Sequence, residues 1–208
     1  MKIQLIDRST EMCNEWKKHF EGCNDVIIHH GDFFSLPTDC IVSPANSFGF
    51  MDGGLDRTIS KKLGWEIQKR LQEKIKHSMT GELLVGKAML ITTDNIDIPY
   101  CISAPTMRVP MILGRESVNV YLATKAVFAM LQEYDGIQPP INTITISGMG
   151  TGVGRVPCEI CARQMRQAYE DAWLNKYQFP NTWKEAQTDH QLLYLNDFFT
   201  YHDLQFEK

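Results

Sequence analysis

The chain has 208 residues, 43% hydrophobic and 22% charged, with a formal net charge of −4, which fits one soluble globular domain spanning 1–208. No apolar run approaches the roughly 18 residues that a membrane helix needs, and the opening MKIQLIDRST does not have the form of a signal peptide, so the cytoplasm is the expected location. No Lys/Arg cluster exceeds a Lys-Lys pair, so the basic footprint of a nucleic-acid groove is missing, although backbone amides can still bind a small anion.

In chain order, KIQLI reads as a strand, and Ser9 or Thr10 caps a helix running to about Phe20. DVIIHH and DCIVSPA read as the second and third strands. A helix is expected from about Leu55 to Leu63; after Gly64, helical spacing resumes over Trp65–His77 with Ile67, Leu71 and Ile75. GKAMLITT and YCISAP have strand character. Glu116–Tyr134 is amphipathic, with Val120, Ala123, Val127, Met130, Leu131 and Tyr134 on one face. INTITISG is a strong strand signal, and Pro157 opens a helix whose stripe is Cys158, Cys161, Ala162, Met165, Tyr169, Ala172 and Trp173. QLLYL is expected as a last strand. Six cysteines with no export signal do not suggest disulfides, and the lone CxxC at 158–161 falls on that apolar stripe, which favours core packing over zinc. No apolar stripe is left over to demand a partner, so a monomer is expected.

Strands alternating with helices argue for an α/β sandwich with a mostly parallel sheet, in which ligands bind beyond the carboxyl ends of the strands. That rule points to two glycine-rich loops. The first lies in SPANSFGFMDGGLD, Ser43 to Asp56; the second is SGMGTGVGRVP, Ser147 to Pro157. Each follows a strand and precedes a helix, so each offers backbone N–H groups and a positive helix end, and two such loops facing each other would cradle a diphosphate. The dinucleotide fingerprint G-x-G-x-x-G fails in every frame, at Val153, Arg155 and Pro157, and no Gly-Lys-Ser/Thr of a P-loop occurs.

The joint pattern resembles the macrodomains, ADP-ribose-binding α/β/α modules of which many hydrolyse ADP-ribose from proteins or metabolites. Gly31–Asp32, Asp39–Val42, Ala45–Ser47 and Gly53–Asp56 fall in register with the first signature of that family, and Thr151–Val153 and Pro157 with the second; the resemblance covers about residues 24–200. It implies a three-layer α/β/α sandwich with a mixed, mostly parallel central sheet. The partner implied is ADP-ribose or an ADP-ribosylated substrate, and no metal or redox cofactor is required.

The resemblance also assigns roles. Asp32 accepts from the adenine amino group, the Phe33 amide meets the same base edge, and Phe33, Phe34 or Phe198 either stacks on the ring or packs in the core. Gly53, Gly54 and Leu55 surround the phosphates and distal ribose, and Gly150, Thr151, Gly152 and Val153 close over the diphosphate. Asn196 contacts adenosine. Asn46 holds a hydroxyl of the distal ribose, and Asp56, ten residues on, activates or orients water at C1″, or else serves only as the acid that a helix start favours. The chain departs from the family pattern in three places. Ser43–Pro44 stands where Asn is usual, Asp52 replaces a glycine, and Gly154 replaces an aromatic that packs on the distal ribose. Arg155 beside it could reach a phosphate or a terminal group of the substrate. The segment MRVPMILGRES, 107–117, either lids the distal site or merely joins strand to helix.

Overall fold

The computed structural model describes residues 1–133 and 138–195. In chain order the strands are β1 (Lys2–Asp7), β2 (Val26–His30), β3 (Cys40–Ser43), β4 (Met89–Thr92), β5 (Tyr100–Ser103) and β6 (Thr143–Ile146). The helices are α1 (Thr10–His19), α2 (Gly54–Leu63), α3 (Glu66–Lys76), α4 (Asn119–Glu133), α5 (Cys158–Ala168) and α6 (Trp183–Leu192), with one π turn, Tyr169–Trp173, continuing α5. Among these residues, no helix is long and apolar enough to cross a membrane.

The strands form one sheet in the order β2-β1-β6-β3-β5-β4. Every pairing is parallel except that of β4 with β5, which is antiparallel. Side chains alternate across a strand, so the central strands feed two cores. Cys40, Val42, Tyr100 and Ile102 join α1, α4 and α5 on one face, with Trp16, Val127, Cys161 and Met165. Ile41 and Cys101 point the other way, into Ile59 of α2 and Ile67, Leu71 and Ile75 of α3. The result is the expected three layers.

The local signals account for most boundaries. Ser9 caps α1, its side chain accepting from the Met12 amide. Gly64 ends α2 at φ 94°, and α3 begins two residues later. The α5 stripe continues through the π turn, where Tyr169 Oη and Trp173 Nε1 both donate to Asp25, at 2.6 and 2.9 Å. Tyr134, the last residue of the expected α4 stripe, lies outside the described residues.

QLLYL is not a strand. Gln191 and Leu192 are the end of α6, which Thr182 starts by accepting from the Glu185 amide while the Glu185 carboxylate accepts from the Asn181 amide at 2.7 Å. That reciprocal cap commits the segment to helix, and its apolar tail packs as a helix end, with Leu193 buried and Tyr194 against the first core.

Candidate functional site

The carboxyl ends of the four parallel-paired inner strands and of β2 share one edge, and both glycine-rich loops rise from it, from the adjacent strands β3 and β6. The loop after β3 is held by side chains. Asn46 Oδ1 accepts from the amides of Phe48 and Phe50, at 3.1 and 3.3 Å, while its Nδ2 donates to Phe50 O at 2.8 Å. Gln68 accepts from the Met51 amide and Ser60 Oγ donates to Met51 O, so α2 and α3 both anchor the turn. Asn46 thus serves the loop first, leaving one amide N–H for a ligand.

The loop delivers the start of α2 with an unusual cap. Gly53 is the N-cap and provides no side-chain acceptor, and among the described residues the amides of Gly54, Leu55 and Asp56 have no acceptor. Gly54 adopts φ 51°, a backbone conformation that a side chain would strain. A Cβ on Gly53 would meet nothing of the protein, so the missing side chain there leaves room for something other than the chain itself.

The loop after β6 is held by Asp7, by its own Thr151 and by backbone hydrogen bonds. The Gly148 amide donates to Asp7 Oδ2 at 3.1 Å, and the other oxygen of Asp7 accepts from the Ser9 amide at 2.8 Å. Thr151 Oγ1 donates to Gly148 O, the Val156 amide to Gly150 O, and the Leu113 amide to Gly154 O at 2.8 Å. A Cβ on Gly154 would lie 2.4 Å from Gly150 O, which explains why an aromatic side chain cannot occupy that position in this loop. Among the described residues, the amides of Thr151, Gly152 and Val153 find no acceptor in the protein.

Between the loops lies a cavity of about 780 Å³. Its wall brings together Asp32, Phe33, Asn46, Gly53, Gly54, Leu55, Asp56 and Gly150 through Gly154. Arg155 is not among the wall residues: it is exposed, at φ 53°, with its amide returning to Gly152 O at 3.2 Å. Asn196 and Phe198 lie outside the described residues.

The two carboxylates singled out from the sequence sit in opposite environments. Asp32, at the end of β2, accepts from the Phe34 amide at 2.9 Å and pairs with Arg8. The Phe34 amide and Arg8 together hold its pKa below the usual carboxylate range. Asp56, in the first turn of α2, is 8% exposed, and Ser43 Oγ donates to its Oδ1 at 2.5 Å. Burial pushes its pKa up to about 6, opposed by the Ser43 hydrogen bond and reinforced by the nearby charge of Asp52. Ser43 therefore has a defined partner: it orients the buried acid. Phe33 is buried with its ring edge-on to Phe34 at 5.3 Å, within the α2–α3 core, and still reaches the wall.

Sequence reasoning missed Asp7 and Arg8 at the end of β1 and Thr106 after β5, which line the cavity; Met107, Val109 and Pro110, from the segment already singled out, line it too. The strand-end rule that selected the two loops applies equally to the ends of β1 and β5, and was the available signal. Segment 107–117 lies over the site. Asn46 forms a bridge with Met107, the Ser47 amide donates to Arg108 O, and Leu113 is tied to Gly154, so the segment spans the gap between the loops.

With this geometry in place, the comparisons with known proteins are consistent. The Macro domain profile matches residues 42–165. An uncharacterised protein of Aquifex aeolicus is 35% identical over 141 residues, 68% of this chain and 78% of its own length. One from Sulfolobus acidocaldarius is 27% identical over 147 residues, 71% and 76% of the two chains. Among solved structures, the macrodomain of Mycobacterium tuberculosis DarG superposes with a TM-score of 0.56 at 18% identity, over 68% of this chain and 87% of that one. A macrodomain variant of Oceanobacillus iheyensis solved with ADPR gives 0.54 at 21% identity, over 66% and 72%. At such identities the structural likeness speaks for the fold; the profile and the Aquifex relative speak for descent. The chain belongs to the Macro domain family.

Proposed function

We propose that the chain binds ADP-ribose in this cavity and hydrolyses ADP-ribose derivatives at C1″ of the distal ribose: a protein-linked ester, O-acetyl-ADP-ribose or ADP-ribose 1″-phosphate. The observation that carries the reading is the pairing of two features. Unsatisfied amides at the start of α2 and at Thr151–Val153 suit a diphosphate held without net positive charge. The buried Asp56 beside them, with a pKa of about 6, is ionised at neutral pH yet basic enough to take a proton from water. As the water oxygen bonds to C1″, the bond from C1″ to the leaving oxygen breaks, the leaving group departs with the electron pair, and Asp56 receives the water proton. Asp32 accepts from the adenine amino group at the other end, and the Oceanobacillus relative, named with ADPR, supports the ligand class.

A second reading, a non-catalytic ADP-ribose reader, is favoured by one observation: Asn46 and Asp56 both spend hydrogen-bonding capacity on the protein itself. In either reading the chain acts as a single-domain monomer in the cytoplasm, with no nucleic-acid or membrane partner and no metal or redox cofactor. Calorimetric titration of ADP-ribose against NAD, AMP and ADP, followed by assays on the three substrate types, tests the proposal. Wild type is expected to bind ADP-ribose best and to turn over at least one substrate, and Asp56→Ala to lose turnover by roughly 10²–10⁴-fold while still binding. Binding without release of any product leaves the reader; no heat with any adenine nucleotide ends both readings.

A further inference from the structure

The cavity runs along the sheet edge from Arg8 and Asp32, after β1 and β2, past the β6 and β3 loops, to Thr106–Pro110 after β5. We infer that its β5 end is a pocket for an uncharged, apolar group carried on C1″, such as an acyl chain, and that it rejects a 1″-phosphate; this rests on the reading of the cavity as an ADP-ribose site.

Three segments converge there. The bridge from Asn46 to Met107 and the Leu113–Gly154 hydrogen bond bring loop 46–50, segment 107–113 and loop 150–154 together. Each contributes an apolar side chain to the wall that the protein itself leaves uncovered: Phe50 at 53% exposure, Val109 at 45% and Val153 at 55%. Met107 and Pro110 complete the surface. Gly154 keeps it open, since even a Cβ would come within 3.2 Å of Met107 Cε. Such a wall gains by covering an apolar ligand group, and its side chains offer a phosphate no cation.

The charges agree. Among the described residues, Arg8 is the one basic side chain on the wall, and it sits at the far end paired with Asp32. Arg108 lies in the right segment, but its guanidinium is clamped on Glu82 at 2.8 and 2.6 Å and stacks 5.1 Å from the Phe48 ring centroid. The adjoining wall, at the turn after β3 and the start of α2, carries carboxylates instead, Asp52 and Asp56. A dianion on C1″ would meet two acids and no cation, at a cost that grows where water is excluded.

The test is a ligand series titrated into the whole chain by calorimetry: ADP-ribose, its 1″-O-butyl glycoside, whose alkoxide is a poor leaving group, and ADP-ribose 1″-phosphate. The butyl glycoside is expected to bind about tenfold tighter than ADP-ribose, from burial of a few methylenes, and the phosphate about tenfold weaker. In Val109→Asp the ratio of butyl glycoside to ADP-ribose affinity should fall to about one, a comparison within one variant that general damage cannot mimic. If ADP-ribose binds but the phosphate binds as tightly as the butyl glycoside, or the ratio survives in Val109→Asp, the inference is wrong while the ADP-ribose site stands. If ADP-ribose itself does not bind, both are wrong. The wild-type series decides the matter even if the variant misfolds.

Discussion

The two ends of the cavity use the same side chain in opposite ways. Asp32 is solvated, paired with Arg8 and fed by a backbone amide, so its charge is comfortable and its pKa is low. Asp56 is walled in by the start of α2, has one hydroxyl for company, and is pushed up to about 6. A carboxylate stabilised in the folded protein recognises; one that the fold makes uncomfortable is available to take a proton. Under the proposed function the contrast would separate a residue that orients the ligand from one that acts on it, and it makes each end breakable by a different experiment.

The largest expected effect concerns Asp56 and stability. Unfolded, this group ionises above about pH 4; folded, only above about pH 6. Between those values the folded state keeps a proton that the unfolded state has released, so stability falls as pH rises through this window, and the full cost, on the order of 3 kcal/mol, is present at pH 7. Asp56→Asn removes that cost. It is expected to be more stable than wild type at pH 7 by up to about 3 kcal/mol, with the advantage gone near pH 4, read from urea midpoints across pH. Wild-type turnover should fall below about pH 6 as Asp56 takes up its proton. An Asn variant less stable than wild type at pH 7 would mean that the buried charge is better supported than the single Ser43 contact allows.

The glycines of the second loop give the next contrast. Gly154→Ala places a Cβ 2.4 Å from Gly150 O and must distort the backbone, at about 1–3 kcal/mol. Gly152→Val meets no protein atom within 4 Å at Cβ, so its melting temperature should match wild type, while its branched side chain adds bulk to the cavity wall in the loop that carries the free amides. ADP-ribose affinity is expected to fall about tenfold or more in Gly152→Val. Equal affinities would remove the second loop from the diphosphate.

The same contrast shows what the sequence made legible. Hydrophobic periodicity and caps located β1 through β6 and α1 through α5, because the helices bury one regular face each and the central strands are short runs buried on both faces. It misled at QLLYL, where a short apolar run reads as a strand and the deciding cap, Thr182 with Glu185, lies nearly ten residues upstream. The strand-end rule picked out the two glycine-rich loops, and the resemblance to the macrodomain signatures picked out Asp32, Asn46 and Asp56. Neither could reveal that Asp7 ties down Gly148 or that Arg8 pairs with Asp32, since those contacts join the ends of different strands and exist only once the sheet is ordered. Nor could either tell Gly152 from Gly154, because what separates them is which atoms a side chain would strike.

The smallest effect belongs to the exposed end, and it discriminates most finely. The Asp32 carboxylate can only accept, so in the proposed role it would select a base that presents an amino group. Asp32→Asn keeps an oxygen for the Phe34 amide but turns an NH₂ toward Arg8 and the ligand. The loss of ADP-ribose affinity is expected to be about 1–2 kcal/mol, with little change in stability, because the Arg8–Asp32 pair is largely solvent-exposed, at 77% and 45%. The sharper measurement uses the inosine analogue of ADP-ribose, which presents a carbonyl at the same place. Wild type should bind it at least tenfold less well than ADP-ribose, oxygen facing oxygen. Asp32→Asn should recover part of that gap, because the new amide donates to the carbonyl. Parallel losses for both ligands would show that Asp32 holds the Phe34 turn without reading the base.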